Sequence, residues 1–427
     1  MKKLMNLRRL CALALALTLL PALAQPARME AKTFEPRLSR DAQASVTVAG
    51  HYSNFEALEA EFNRFNAYYP EVELTYVCLD NYNRIISTAV TGAEAPDIFF
   101  TFPWMANSPE CAPLFEAAED LSDPALGIDL SCIRPGLLHR DEQGRVPSVP
   151  IYTTTYGMMV NEDIFAREGI AIPTTYAGLV SACEALQKAG YAHPMMGHSS
   201  LLVYPLYHPF FYTQIKGDET ALRELNALAP SAGEYARGAL ELAADFMGRG
   251  FIDLESCHQL ENDYNAVIMR FYEGDVPMML ATANTVSGTE KREKQSEAFS
   301  AHPFAYSFHP VPCSEEGGCF VNYISMSFSV NSRSANLEMV NEFMRFLITT
   351  EELNRTAQAK RMVTPCIDMS LDGIYAAFGQ VPADRVISVP ELGLANAADD
   401  QVRLAGTQVS LGTMTVEEAV AAFGTLK

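Results

Sequence analysis

The chain has 427 residues, 48% of them hydrophobic, with 31 Lys and Arg against 52 Asp and Glu. That length allows roughly two to four domain-sized units with real cores. Ordinary glycine and proline counts, and the lack of a heptad or longer repeat, exclude collagen-like, coiled-coil and solenoid architectures. A formal net charge of −21 excludes nucleic acid or an anionic bilayer as the main partner, since neither attracts so acidic a surface.

Residues 1–24 read as a secretory signal peptide. Lys2, Lys3, Arg8 and Arg9 precede an apolar run from Leu10 to Leu20, then Pro21 and the small-residue ending Ala22-Leu23-Ala24. The run is shorter than the roughly 20 residues of a membrane span. The mature protein is therefore expected in the periplasm or outside the cell, and Cys11 lies too early to be a lipoprotein cysteine. Residues 25–44 are charged, without apolar periodicity, and read as a flexible leader. Among the later cysteines only Cys313 and Cys319 are close; they flank Ser-Glu-Glu-Gly-Gly, where a small disulfide ring could close. No CxxC pair points to zinc or thiol redox chemistry.

The folded body is expected to begin with a strand over Ser45–Gly50, followed by a helix carrying Phe55, Leu58, Phe62 and Phe65 at three- and four-residue steps. Tyr69-Pro70 ends it. Val72–Val77 is the next strand, Tyr82–Thr91 a helix, and Asp97–Phe100 a buried strand. This alternation predicts an α/β domain with parallel pairing. Val146–Val160 suits an extended chain whose prolines confine it to an edge or a connection. Helices are predicted from Thr174-Thr-Tyr176, over Ala232–Gly250 with Leu240, Leu242, Ala243, Phe246 and Met247 inward, over Asn265–Glu273 and over Asn336–Thr350, with a buried strand at Pro277–Ala281. Thr415 and Glu418 have the spacing of a capping box opening the last helix.

The ordered segments resemble the extracellular solute-binding proteins of ATP-driven importers, in the maltose-type branch (family 1). The resemblance rests on Thr47-Val-Ala-Gly, Phe62-x-x-Phe65-x-x-Tyr-Tyr-Pro70, Gly92-Ala-Glu-Ala-Pro96-Asp97-Ile-Phe-Phe, Val149 to Ile170, Phe271-Tyr-Glu-Gly274-Asp-Val-Pro-Met278-Met279, Phe328-Ser-Val-Asn-Ser332 and Thr415-Val-Glu-Glu-Ala. It spans about residues 45–425. It implies an α/β fold of the two-lobed periplasmic-binding-protein type (type II), with the ligand cleft between lobes joined by crossing strands. Lobe one would hold 45–149 and 282–323, lobe two 156–281 and 326–427, with crossings at Ile151–Thr155, Leu280–Ala283 and Tyr323–Phe328. The implied function is a monomeric receptor that captures a small solute, carbohydrate first, by hinge closure and presents it to an ABC permease. It needs no cofactor, metal or catalysis. A receptor-kinase sensing partner, or a secreted hydrolase, are the alternatives.

Cleft residues in open α/β sheets follow the carboxyl ends of strands. That rule and the resemblance together select His51, Tyr52, Ser53 and Asn54; Asp80 and Tyr82; Thr101, Phe102 and Trp104; Tyr152, Thr154 and Tyr156; His198, Ser199 and Tyr204; Asn284 and Thr285; and Asn322 and Tyr323. Tyr52, Tyr152 and Tyr156 suit cleft and core equally, and Asp97 reads as a cap. The aromatic run Tyr204 to Tyr212 suits helix packing or a stacking surface for a sugar. Trp104→Ala and Tyr152→Ala are each expected to weaken binding without lowering the apo melting temperature. Metal and nucleophile patterns are weak: Cys257-His258-x-x-Glu261 lacks a second cluster, and Gly197-His-Ser-Ser-Leu201 lacks the second glycine of a nucleophile elbow.

Overall fold

The computed structural model describes residues 33–197, 203–259, 263–369, 371 and 373–426. The signal segment, most of the leader, His198, Ser199 and Glu261 fall outside that set. Twelve strands are present among the described residues: β1 Ala44–Gly50, β2 Val72–Cys78, β3 Ile98–Thr101, β4 Val149–Thr154, β5 Tyr156–Asn161, β6 Met195–Gly197, β7 Met278–Thr282, β8 Tyr306–His309, β9 Pro312–Ser314, β10 Gly317–Gly318, β11 Phe320–Val330 and β12 Val386–Ser388.

In the first sheet β1 runs parallel to β2, the edge strand, on one side and to β3 on the other. β11 then runs antiparallel to β3 and, on its far side, to β4. Buried on both faces, Ile98, Phe99 and Phe100 read as an unbroken apolar run, as central parallel strands do. Pro150 sits on β4, whose one strand partner is β11 among the described strands and whose other side is bridged at Thr153 to Val363, so the missing N–H of Pro150 costs no bond on that side. Asp97 caps as expected, accepting from the Thr47 amide at 2.8 Å and from the Ser334 hydroxyl.

The second sheet has the order β6-β7-β5-β8. One residue, Thr155, separates β4 of the first sheet from β5 of the second. Its carbonyl accepts from the Ala283 amide at 3.0 Å, directly after β7. β11 changes register between Ile324 and Ser327, a bulge that bends the strand as it passes from β12 and the end of β4 toward β3. Thr155 thus joins the two sheets, with the Ala283 backbone bonded beside it.

The packing divides differently from the expected lobes. β8 belongs to the second sheet beside β5, although 282–323 was assigned to lobe one. Met326–Val330, assigned to lobe two, is a buried strand of the first sheet. The helix Leu337–Leu347 follows it there: Phe343 packs on Phe62 and Phe65, with centroids at 5.5 and 5.3 Å. The physical reason is that β3 and β4 need a strand between them, and the apolar half of β11 supplies it. Residues 34–43, read as leader, are also docked. The Phe34 ring lies edge-on to Tyr68 and Phe346, and the Arg37 amide donates to Glu342 at 2.7 Å.

Most predicted helices are present within a few residues, and the Thr415–Glu418 capping box forms in full. The Ala232–Gly250 segment opens as a 3₁₀ stretch, Pro230–Ala236, before the α-helix Arg237–Gly248. A Cβ on Gly233 would meet the Val420 carbonyl at 2.2 Å, so the absence of a side chain lets the last helix pack close. Leu242 and Met247 are only half buried; Ala239 joins Leu240, Ala243 and Phe246 inside. Cys313 and Cys319 place their sulfurs 3.9 Å apart, and one Arg385 nitrogen reaches both at 3.5 Å. Both are free thiols here. No helix among the described residues is long and apolar enough to cross a membrane.

Candidate functional site

The carboxyl ends of β1, β2 and β3 lie along one edge of the first sheet, and the residues after them gather there. The His51 ring is 4.2 Å from Tyr52 and 5.4 Å from Phe102. His51 and Asp80 are exposed, Tyr52 and Phe102 are half buried, and Trp104 is 47% exposed on a 3₁₀ turn opened by Pro103. An indole so open to water offers a stacking face. Asn54 is exposed, but its amide is engaged with Glu56 at the start of the next helix.

A second aromatic group stands across the strand crossings. The Tyr156 hydroxyl donates to that of Tyr204 at 3.1 Å, and Tyr323 lies 5.1 Å from Tyr156. Behind them, in the helix Tyr204–Ile215, His208 Nε2 is 2.9 Å from Asp399 Oδ1, and Tyr212 donates to the same oxygen at 3.0 Å. Burial would raise the Asp399 pKa, yet the nearby imidazole and the Tyr212 hydroxyl hold it below the usual carboxylate range. Burial pushes the phenols of Tyr156, Tyr204 and Tyr212 well up. The Asp–His pair therefore braces a rigid wall of neutral phenols.

Several selected residues turn inward. Tyr82 is buried and spends its hydroxyl on the Phe100 carbonyl at 2.6 Å; Thr101 is buried against Ser329. Tyr152 is fully enclosed, with Phe55 at 6.1 Å, so its ring belongs to the core and is not a cleft surface. Thr154 and Asn322 are also fully buried at the crossing. The Asn322 amide donates to Thr153 at 3.0 Å, while Thr154 Oγ1 and Asn322 Oδ1 have no partner among the described residues. Thr285 is buried; Asn284 is exposed and accepts from Ser325 at 2.9 Å, tying two crossings together. The site residues that reach open space are thus His51, Tyr52, Asp80, Phe102, Trp104, Asn284 and Tyr323, with the edges of Tyr156 and Tyr204.

Lys360 escaped the sequence reading. It ends the helix Thr350–Ala359, and its ammonium sits 4.5 Å from the centre of the Tyr52 ring and 5.8 Å from that of Phe55. Burial lowers its pKa; the Glu56 charge opposes this, and the smaller repulsions from Arg292 and Lys291 add to the lowering. Burial, then the charge of Lys360, lowers that of His51. Burial pushes the Tyr52 phenol up to about 12. The next residue, Arg361, has a positive φ of 50° and turns the chain out of the helix, donating to Thr289 at 2.6 Å and pairing with Glu290 at 3.0 Å.

A cavity of about 1080 Å³ lies elsewhere, lined by Glu162, Glu293, Tyr306, Arg355, Arg361 and Tyr375 among others. None of the selected residues lines it. Part of its charge is internally paired: Arg361 pairs with Glu293, Arg355 with Glu351, and the Tyr375 hydroxyl donates to the Arg361 carbonyl, while Asn354 Oδ1 has no partner among the described residues. The aromatic edge and wall above, where the selected residues gather, remain the candidate. Among the described residues, no group of three or more His, Cys, Asp and Glu side chains is arranged to hold a metal ion.

A sequence model of bacterial extracellular solute-binding proteins matches residues 49–353. No curated protein matches the sequence. Similar solved structures include the apo form of RafE from Streptococcus pneumoniae, at 15% identity and TM-score 0.66, covering 91% of this chain and 98% of that one. RafE in complex with raffinose aligns at 16% identity and TM-score 0.65 over 89% and 98% of the two chains. The GacH receptor of Streptomyces glaucescens, whose structures include a complex with acarbose, aligns at 18% identity and TM-score 0.64 over 89% and 96%. These likenesses establish the fold, an α/β arrangement of two lobes of the type II solute-binding class.

Proposed function

We propose that this chain, which belongs to the family of bacterial extracellular solute-binding proteins, is an exported carbohydrate receptor that closes on its ligand and delivers it to the membrane subunits of an ABC importer. The observation that carries this reading is the pair of aromatic faces, one on each side of the strand crossings. His51, Tyr52, Phe102 and Trp104 stand at the edge of the first sheet, and Tyr156, Tyr204 and Tyr323 across the crossings. Neutral rings that carry hydroxyls suit the flat apolar faces and polar rims of sugar rings. Raffinose and acarbose, bound by two similar proteins, agree with that class. The first lobe would then comprise 34–154 with 326–378, and the second 156–323 with 386–426.

Function follows from differential affinity for open and closed forms. Moving from 1% to 99% closed needs a difference of ~5.5 kcal/mol. Micromolar binding supplies ~8.2 kcal/mol in total, so contacts with both faces suffice without any chemical step. A thermal-shift screen of mono- and oligosaccharides, amino acids and peptides tests the class. A hundredfold excess over Kd stabilises by ~2.7 kcal/mol. Stabilisation by amino acids or peptides with none from any saccharide would refute the carbohydrate reading.

A further inference from the structure

The cleft edge of the first sheet carries an ammonium group without a counter-ion. Among the described residues no carboxylate forms an ion pair with Lys360; its neighbours are the faces of Tyr52 and Phe55, at 4.5 and 5.8 Å. Glu56 is the acid that faces it, and that carboxylate already accepts from Asn54 at 3.0 Å. The other charged neighbours are cations. Lys291 and Arg292 belong to the helix Thr289–Gln295, which lies just past Asn284. Arg292 is held by neutral oxygens, Asn265 Oδ1 at 3.0 Å and the Gly288 carbonyl at 3.1 Å. His51, one ring beyond Tyr52, is held toward its neutral form by burial and by the charge of Lys360.

In a chain of net charge −21, Arg64, Arg145, Arg237, Arg249, Arg270 and Arg355 each pair with an acid. A partly desolvated lysine left beside aromatic faces, with further cations behind it, costs electrostatic free energy that an incoming anion would relieve. Its single ammonium is a point contact that can balance one negative charge, which a carboxylate carries and a phosphate monoester, at about −1.5 to −2, exceeds.

Resting on the carbohydrate reading above, we infer that the natural solute is an acidic saccharide, a uronate-bearing sugar whose carboxylate meets Lys360 while a ring stacks on the neighbouring aromatic side chains. The burial that lowers the Lys360 pKa agrees with a site built to receive a negative group.

Calorimetric titration of paired neutral and uronate-containing di- and trisaccharides, at low and at 0.5 M salt, decides the matter. The uronates are expected to bind about tenfold tighter or more than their neutral partners at low salt, as a charge-assisted contact implies, and the advantage should shrink at high salt. Lys360→Met keeps the apolar stem over Tyr52; it should erase the advantage, read as the ratio of uronate to neutral-sugar affinity. Neutral sugars binding as well as uronates would overturn the acidic class and leave the carbohydrate receptor standing. Equal loss of both affinities in Lys360→Met and Lys360→Gln, or failure of both variants to fold, would reduce Lys360 to a structural residue and overturn the inference. Binding of neither sugar type would remove the carbohydrate reading itself.

Discussion

Tyr152 separates core from cleft most sharply. It is the first ring after the Val146–Pro150 segment, on β4, and its side chain is 0% exposed with a hydroxyl that finds no partner among the described residues. Truncation to alanine removes a fully packed ring, which typically costs about 3–5 kcal/mol. Unfolding entropy of ~2.1 cal/mol/K per residue amounts to roughly 0.8 kcal/mol/K for a body of this size, so the melting temperature should fall about 4–6 °C. Tyr152→Phe keeps the ring and deletes the unpaired hydroxyl, whose desolvation carries a penalty of about 1–3 kcal/mol. That variant should be at least as stable as the parent. Trp104→Ala, at an exposed site, should leave the apo melting curve within about 0.5 kcal/mol of wild type and weaken binding. Urea melts of the three apo variants, beside calorimetry with a ligand, give the pattern. A Tyr152→Ala protein as stable as wild type would refute the burial argument. A Tyr152→Phe protein destabilised by more than about 1 kcal/mol would show that the hydroxyl is hydrogen-bonded after all.

Glu61 gives a pH signature. It is 1% exposed, and burial, then the neighbouring Glu352 carboxylate, raises its pKa to about 8. A carboxyl raised on folding binds its proton more tightly in the native state. Its contribution is therefore complete below about 4.5, declines as pH rises, and is gone above about 8. Glu352 is shifted the other way: burial would raise it, but hydrogen bonds from Arg64 and Glu61 hold it low, and its contribution is lost as pH falls. Glu61→Gln should flatten the fall in stability between pH 5 and 8, seen in urea midpoints across that range (~1.4 kcal/mol per pH unit for one proton); an unchanged slope would refute the assignment. The Cys313–Cys319 pair, at 3.9 Å, should close under a disulfide-exchange buffer with a mass loss of about 2 Da. Quantitative alkylation of both thiols after that treatment would refute the pairing.

The three parallel strands of the first sheet were legible because β-branched and aromatic runs are bounded by Gly50, Pro70 and Pro96. The helix Thr350–Ala359 was not. Its buried face is Glu352, Leu353, Thr356 and Ala357, and Glu352 is inside because Arg64 bonds it from another helix at 2.9 Å. The helix Asn396–Ser410 was likewise hidden, since its buried stripe of Ala398, Val402, Ala405 and Gly406 is small; a Cβ on Gly406 would meet the Tyr207 ring at 2.1 Å. Residue type alone made Tyr82 and Tyr152 attractive as ligand contacts, but which way a ring turns depends on helices far along the chain. Lys360, at a helix end, reads in sequence as an ordinary partner of the helix dipole. Only the approach of Tyr52, more than 300 positions earlier in the chain, gives it another meaning.

The overall acidity and the local cation are compatible because they act over different lengths. At physiological ionic strength charges are screened over ~8 Å, so the scattered surface carboxylates that make up most of the −21 contribute little at the cleft. Lys360 and its Arg292 and Lys291 neighbours lie within that range of one another's influence. The bulk charge acts instead on encounter, where it slows an anionic solute and is relieved by salt. The local cation acts on residence, where salt weakens the contact. A single ligand can therefore meet unfavourable long-range and favourable short-range fields in one protein, and composition alone reports only the first.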